Sequence, residues 1–432
     1  MRRTGYFRFV PCLALLAGLA VITLSVPLRD APGQPAVESE AAGQSGPDSG
    51  AERDRDEKQT ASENSEERVG CIEGDCRDGS GVLRFSGGVE YTGEFQSGLM
   101  HGPGRLEFPD SPAFYQGEFR AGRMHGRGER RWPDGTRYTG GWQEGNLHGQ
   151  GVLRFSDGAY YSGGFVEGRT NGRGTARNRR GDRFQGVWRG GRLNGPGSIA
   201  FAGGGFYKGG FANHRPHGRG VLRWPNGLKY SGEFRRGRPE GRGKLELANG
   251  DSYTGEFRAG VFAGRGEYKW SGEGDALYRG GFRAGKMHGA GELVWDGGRR
   301  QYRGTFAGNV FAGEGELAVR DELDYKGGFR NGVYHGQGEL ELAAGTSYSG
   351  DFQNGEPHGE GRYRFKSGTV YAGRFRTGKF HGPGVLTRAD GSIVRGEFAN
   401  GKLVQETPAP DAAPASNPAK QPASAKSRAS SP

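Results

Sequence analysis

The sequence predicts an all-β chain: one elongated antiparallel sheet of about thirteen stacked hairpins. Three observations predict it. A motif of 23 residues recurs thirteen times, opening at Tyr91, Tyr115, Tyr138, Tyr161, Phe184, Tyr207, Tyr230, Tyr253, Tyr278, Tyr302, Tyr325, Tyr348 and Tyr371, with a truncated copy at Val394. Within each copy, aromatic residues and glycines alternate with a period of two, which is the spacing of a strand with one buried face. The 86 glycines of the 432-residue chain hold fixed places in that motif. Self-similarity at this period means stacked supersecondary elements, each contacting its neighbours, so the usual limit on the size of one core does not apply.

The first strand of each repeat carries the opening aromatic at offset zero, Gly at offset two, and Phe or Trp at offset four. Gly93 and Phe95, or Gly140 and Trp142, are examples. A second run reads Gly, apolar, apolar at offsets thirteen, fifteen and seventeen, as in Gly151, Leu153 and Phe155. Between the two lies a predicted turn such as Gly145-Asn146-Leu147-His148-Gly149, and Asp157-Gly158 marks the turn to the next repeat. Glycine inside a strand often marks close approach by another group. Here the glycines are expected to make room for rings of the neighbouring strand. Offset seven is Gly except at His214 and Asn309. His and Asn tolerate positive φ better than most residues, so this position is predicted to be left-handed. Lone hairpins are marginal in water, so the hairpins must join one sheet, about 125 Å long if extended.

The run Tyr-x-Gly-x-Phe-x-x-Gly-x-x-His-Gly-x-Gly-x-Leu, as at Tyr91 to Leu106, resembles the MORN repeat (membrane occupation and recognition nexus). The resemblance covers residues 68–403. It implies an extended sheet of stacked MORN hairpins and roles in scaffolding, membrane attachment or partner binding. It implies no reaction and no cofactor.

The flanks differ in composition. Residues 1–28 place Arg2, Arg3 and Arg8 before twenty uncharged residues, 9–28, about the length that crosses a hydrocarbon core as a helix. Ser25-Val26-Pro27 offers no clean cleavage site, and Cys12 begins the apolar run rather than following it. An uncleaved transmembrane signal-anchor is therefore preferred to a cleaved signal peptide. With the arginines inside, the array is expected on the periplasmic, extracytoplasmic side of the inner membrane. Residues 29–67 read as a disordered acidic linker, and 404–432 as a disordered tail rich in Pro, Ala and Ser.

Cys71 and Cys76 occupy offsets three and eight of a degenerate opening repeat, where a disulfide is expected to staple the exposed edge hairpin. Zinc is the competing reading, and neither the spacing nor a nearby His or Cys supports it. The array holds 49 basic and 36 acidic residues. The repeat at Tyr161 is enriched with Arg169, Arg173, Arg177, Arg179, Arg180 and Arg183, while Ala176 and Asn178 replace its usual apolar pair. These arginines are either solvated residues of a drifted repeat or an anion-binding patch for lipid headgroups, cell-wall polymer or an acidic partner.

Eight histidines stand at offset ten, from His101 to His381. Equivalent atoms in successive repeats lie two strands, or about 9 to 10 Å, apart, too far to share one metal ion. A turn role is expected for them. An active site needs a constellation that breaks the repeat, and no phosphate loop, Ser-His-Asp set or HExxH appears. The chain is therefore expected to be a non-enzymatic scaffold, binding a protein partner or itself along the sheet. Binding to anionic lipid or cell-wall polymer is the alternative, and nucleic acid is disfavoured by the expected compartment.

Overall fold

In a computed structural model, the tyrosine that opens each repeat lies flat over bare backbone, and the rest of the fold follows from that contact. A Cβ built on Gly232 would come within 2.6 Å of the Tyr230 hydroxyl and 2.5 Å of Gly243 Cα. One built on Gly243 would meet the same ring at 2.5 Å. The ring thus covers the glycine two residues further along its own strand as well as the glycine opposite. The sequence suggested only the cross-strand contact. The hydroxyl then donates to the backbone carbonyl three residues on, as Tyr230 to Glu233 at 2.9 Å and Tyr207 to Gly210 at 2.8 Å. This satisfies the phenol without any buried side-chain partner.

The structure describes residues 68–272 and 275–407. They are all-β, with thirty strands assigned to one antiparallel sheet and a single 3-10 turn at Ser86–Gly88. No helix among the described residues is long and apolar enough to cross a membrane. The predicted anchor, the acidic linker and nearly all of the predicted tail lie outside the described residues. The chain divides into two compact units, the first ending at His288 and the second beginning at Gly289. Within each, strands pair with their neighbours in sequence. In the first, Lys229–Arg235 pairs with Arg238–Glu246, which pairs in turn with Ser252–Arg258.

Within each repeat the two strands are joined by a two-residue turn with positive φ at both central positions. Glu144 and Gly145 have φ of 49° and 84°, and Asn331 and Gly332 have 52° and 79°. This is the primed turn whose twist matches that of the flanking strands. His214 at 64° and Asn309 at 76° are left-handed, as their sequence position suggested. The turn is tighter than expected. The strand Asn146–Arg154 begins inside the segment read as a turn, because Leu147 is a core residue, 5% exposed and paired with Trp142. The offset-ten histidines accordingly lie in strands and not in turns. Their backbone carbonyls serve the fold, as where Tyr91 also donates to His101 O at 3.3 Å.

Beyond each histidine the second strand bulges. Gly93 pairs with Gly104 and Glu94 with His101, leaving Gly102 and Pro103 without partners on that strand. Gly102 has φ of +57°, and the equivalent glycines Gly126, Gly149, Gly172 and Gly218 are also left-handed. Such a bulge bends the strand, and the left-handed residue accounts for a glycine at offset eleven.

The inner face is an edge-to-face aromatic ladder. Tyr230 meets Phe234 of its own repeat at 5.0 Å and 88°, and Phe257 of the next at 4.9 Å and 81°. Offset nine closes the other side of the ring. Phe262 stacks on Tyr253 at 3.8 Å, and Phe311 on Tyr302 at 3.7 Å. Each turn is tied to the preceding repeat by one backbone bond, such as Gly237 N to Pro216 O at 2.8 Å. The repeat at Phe184 departs from the scheme. With no hydroxyl there, Leu193 Cδ1 occupies the space over Gly186, and His214 Nδ1 accepts a bond from Leu193 N at 3.3 Å.

Candidate interaction surface

Strand alternation sends even-numbered offsets of the second strand, and odd-numbered offsets of the first, to the outer face. This face has no ladder to maintain, so its side chains vary from repeat to repeat. Over residues 161–228 it becomes one-signed: the segment holds twelve basic residues and two acidic ones, Glu167 and Asp182. Arg169, Arg173 and Arg177 lie along the strand Arg169–Arg177, at offsets eight, twelve and sixteen, and all are exposed. Arg183 is directly across from Arg177 on the strand Arg183–Arg189. Arg179 and Arg180 sit at the tip between hairpins, where Asn178 Nδ2 donates to Asp182 Oδ2 at 3.0 Å and fixes the loop.

The sequence reading stopped at these six arginines, and the surface is larger. Arg189, Arg192, Lys208, Arg215, Arg219 and Arg223 continue it on the next two repeats, all exposed. The signal was available in a charge count for each repeat, but only the strand alternation shows which residues share a face. None of the twelve forms an ion pair with the described residues. Arg177 opposes Arg183, Arg189 opposes Arg192, and Arg223 opposes Lys229. Like charges directly across a ladder cost stability. Such pairs also occur elsewhere, as at Arg120 and Arg123, Arg235 and Arg238, and Arg376 and Lys379. What sets residues 161–228 apart is that only two acidic residues accompany the twelve cations.

Elsewhere acidic residues are interspersed with the cations and some pair with them. Lys229 and Lys244 both bind Glu246, at 2.9 and 2.7 Å, and hold its carboxyl down at about 2. In the second compact unit, Arg299 binds Glu322 at 2.7 Å and Arg374 binds Glu360 at 2.8 Å.

Cys71 and Cys76 are joined in a disulfide with Cα atoms 5.9 Å apart. Cys71 lies on the strand Arg68–Gly74 and Cys76 in the following turn. The edge hairpin is irregular, Gly70 pairing with Arg84 where the other repeats would set it against Gly81. No group of three or more His, Cys, Asp or Glu among the described residues is placed to hold a metal ion.

Comparison with known proteins agrees in phase with the hairpins. The MORN repeat profile matches twelve segments: residues 91–111, 115–137, 138–160, 161–183, 184–206, 207–229, 230–252, 253–273, 278–298, 325–347, 348–370 and 371–393. The repeat at Tyr302 is passed over. No curated protein matches the chain. Among solved structures, the chain is similar to the TCP10 domain of Danio rerio CPAP in complex with a STIL peptide, at 12% identity and a TM-score of 0.26, over 65% of this chain and 98% of that one. It is also similar to the SAS-4 (dCPAP) TCP domain of Drosophila melanogaster in complex with a proline-rich motif of Ana2, at 13% identity and 0.20, over 42% and 84%. These likenesses are too weak to carry an argument about function. The family profile covers more than half of the sequence, repeat upon repeat, and the chain belongs to the MORN-repeat family.

Proposed function

We propose that this protein is a non-enzymatic interaction scaffold, and that the outer face of residues 161–228 is its binding surface for an anionic macromolecule. The carrying observation is the run of twelve exposed cations without an ion-pair partner among the described residues. A folded chain gains nothing from concentrating like charge in this way, whereas an oppositely charged partner is steered to it and held. A repeated β surface suits an extended partner, because equivalent groups recur every two strands, about 9.6 Å apart.

The partner favoured by this reading is a protein; an anionic lipid surface or cell-wall polymer is the second reading, and rests on the same charge. Sedimentation of the full chain with an acidic polypeptide, with anionic vesicles and with purified cell wall, at low and at high salt, tests both. The proposal requires binding that weakens as salt shortens the screening length, which is about 8 Å at 0.15 M. Absence of binding to all three at low salt would sink it.

Placement outside the cytoplasm, behind a retained anchor at residues 9–28, is part of the same proposal. It requires that Cys71 and Cys76 resist alkylation until reduced, and that intact mass retain Met1 or Arg2. Free thiols together with an array protected from protease in spheroplasts would overturn that placement.

A further inference from the structure

The bulges of different repeats treat one position in two ways. In several repeats, offset three is acidic and its carboxylate reaches across the bulge. Glu118 Oε1 accepts from Arg127 N at 3.2 Å, and Glu256 Oε1 accepts from Arg265 N at 3.2 Å. Asp351 is held twice: Oδ2 accepts from Glu360 N at 3.2 Å, and Oδ1 accepts from the side-chain amide of Gln337, directly opposite on the preceding strand. In every case the carboxylate fills the space outside the left-handed bulge glycine, Gly126, Gly264 or Gly359.

The same position is glycine at Gly141, Gly164, Gly210, Gly281 and Gly328. Gly210 faces Pro196 and Gly328 faces Glu314, neither of whose side chains can donate, and Gly281 stands between repeats with other residues there. Only Gly141 and Gly164 fall in consecutive repeats. At these two the donors nevertheless remain in place. Gln150 lies opposite Gly164 as Gln337 lies opposite Asp351, with Nε2 3.6 Å from where a Cβ on Gly164 would stand. Arg173 N takes the place of Glu360 N, on a residue that is now cationic. For Gly141, Arg127 is the residue opposite and Gln150 supplies the backbone N–H. Outside Gly149 and Gly172 there is open space, with no atom within 4 Å of an added Cβ. The repeat between the two halves of the basic face cannot offer this site, since Pro196 has no N–H and Val187 lies beside Gly195.

We propose that Gly141 and Gly164 mark two adjacent receptor sites for carboxylates of an acidic protein segment, which enter where Glu118, Glu256 and Asp351 place their own in sibling repeats. This rests on the reading of the basic face as a binding surface and names the chemistry of its partner; the Gly164 site lies on that face and the Gly141 site on the repeat that precedes it. The ligand type is indicated by the chain's own carboxylates on equivalent donors, and the surrounding cations, Arg127, Arg169, Arg173 and Arg177, match its charge. Adjacent repeats are about 9.6 Å apart. A polyproline II segment rises about 3.1 Å per residue with three residues per turn, so acidic residues at every third position would present carboxylates on one side about 9.3 Å apart.

The test uses the full chain and a labelled peptide of repeating Glu-Pro-Pro, with Gln-Pro-Pro and inorganic polyphosphate as comparison probes. The glutamate peptide is expected to bind at least about tenfold more tightly than the glutamine peptide, since hydrogen bonds to a charged group are the stronger kind. Gly164→Asp supplies the carboxylate in cis and is expected to lower affinity about tenfold, by filling the site and adding negative charge. Because an added Cβ at Gly164 would stand 2.3 Å from the Asn171 carbonyl oxygen, so that the backbone must shift to admit it, the fold of this variant is checked by thermal unfolding, and Gln150→Ala, an exposed substitution, is measured alongside with an expected loss of about threefold. Gln337→Ala should leave binding unchanged. Equal affinity for polyphosphate and the glutamate peptide, with neither variant impaired, would overturn the carboxylate sites while leaving the basic face as the binding surface. Binding of no probe would overturn both. Binding that emerges only after the acidic residues of 29–67 are neutralised would assign the sites to this chain's own carboxylates and overturn the proposal of a partner.

Discussion

Residues 161–228 and the second compact unit are built on the same inner face and differ in their outer faces, one basic and one of nearly balanced charge. Tyr207 and Tyr325 cover the same pair of glycines and donate to the same carbonyl, at 2.8 and 2.9 Å. Outside, the first region has twelve basic and two acidic residues, whereas residues 289–403 have fifteen basic and fourteen acidic ones. The second region pairs several of its charges, as in Arg303 with Glu292 and Lys326 with Glu316, both at 3.0 Å. The difference separates what the repeat must keep from what it is free to change. The fold constrains the ladder, and the outer face is left to carry specificity.

The comparison breaks if the inner faces respond differently to the same perturbation. The largest perturbation is alkaline pH. Burial pushes the hydroxyls of Tyr91 and Tyr278 in the first unit, and of Tyr302 and Tyr371 in the second, up to about 12. Their folded-state pKa lies above the unfolded value of about 10, so their stabilisation is complete below pH 10 and lost as pH rises toward 12. Circular dichroism should show both units unfolding in that window. Survival of either past pH 12 would contradict the shared ladder.

Next in size are the glycines. Gly243→Ala and Gly174→Ala each drive a methyl into the tyrosine above, at Tyr230 or Tyr161, and each should cost about 3 kcal/mol by denaturant unfolding with local amide exchange. Similar losses at both sites are required, since only the outer surroundings differ. Tyr230→Phe removes the bond to Glu233 and should cost about 1 kcal/mol. The converse, Phe184→Tyr, should gain nothing, because Leu193 already occupies the space at Gly186. Smallest are the outer-face changes. Arg173→Glu and Arg219→Glu should alter stability by less than about 0.5 kcal/mol, the range for exposed substitutions.

Much of this was legible in the residues. Alternation of Tyr, Gly and Phe gave the strand and its buried side, and the His214 and Asn309 exceptions gave the left-handed turn. Offset six escaped notice because it holds residues as unlike as Glu144, Arg236 and Asn354, all at φ near 50°. Strand twist imposes that geometry, and no residue type marks it. The bulge escaped for a related reason: two extra residues preserve the alternation of sides, so periodicity cannot reveal them. Leu147 and its equivalents were read as turn because apolar offset nine falls next to polar neighbours. The basic surface was half legible, seen in the repeat with six arginines and missed where the cations are spread across strands. The carboxylate position beside Gly164 required the fold, since it is defined by the pairing of Gln150 with Gly164 and of Gln337 with Asp351.

The measurement closest to the central claim is a matched charge reversal in the two regions. Full-length protein carrying Arg173→Glu, Arg177→Glu and Arg219→Glu is compared with protein carrying Arg362→Glu, Arg364→Glu and Arg376→Glu, three exposed arginines of the second unit, each titrated with the acidic peptide at low salt. The account predicts that the first set abolishes binding, that the second leaves it nearly unchanged, and that both proteins unfold at the wild-type midpoint. Equal loss from both sets would mean that net charge, and not the face of residues 161–228, holds the partner, and would contradict the account.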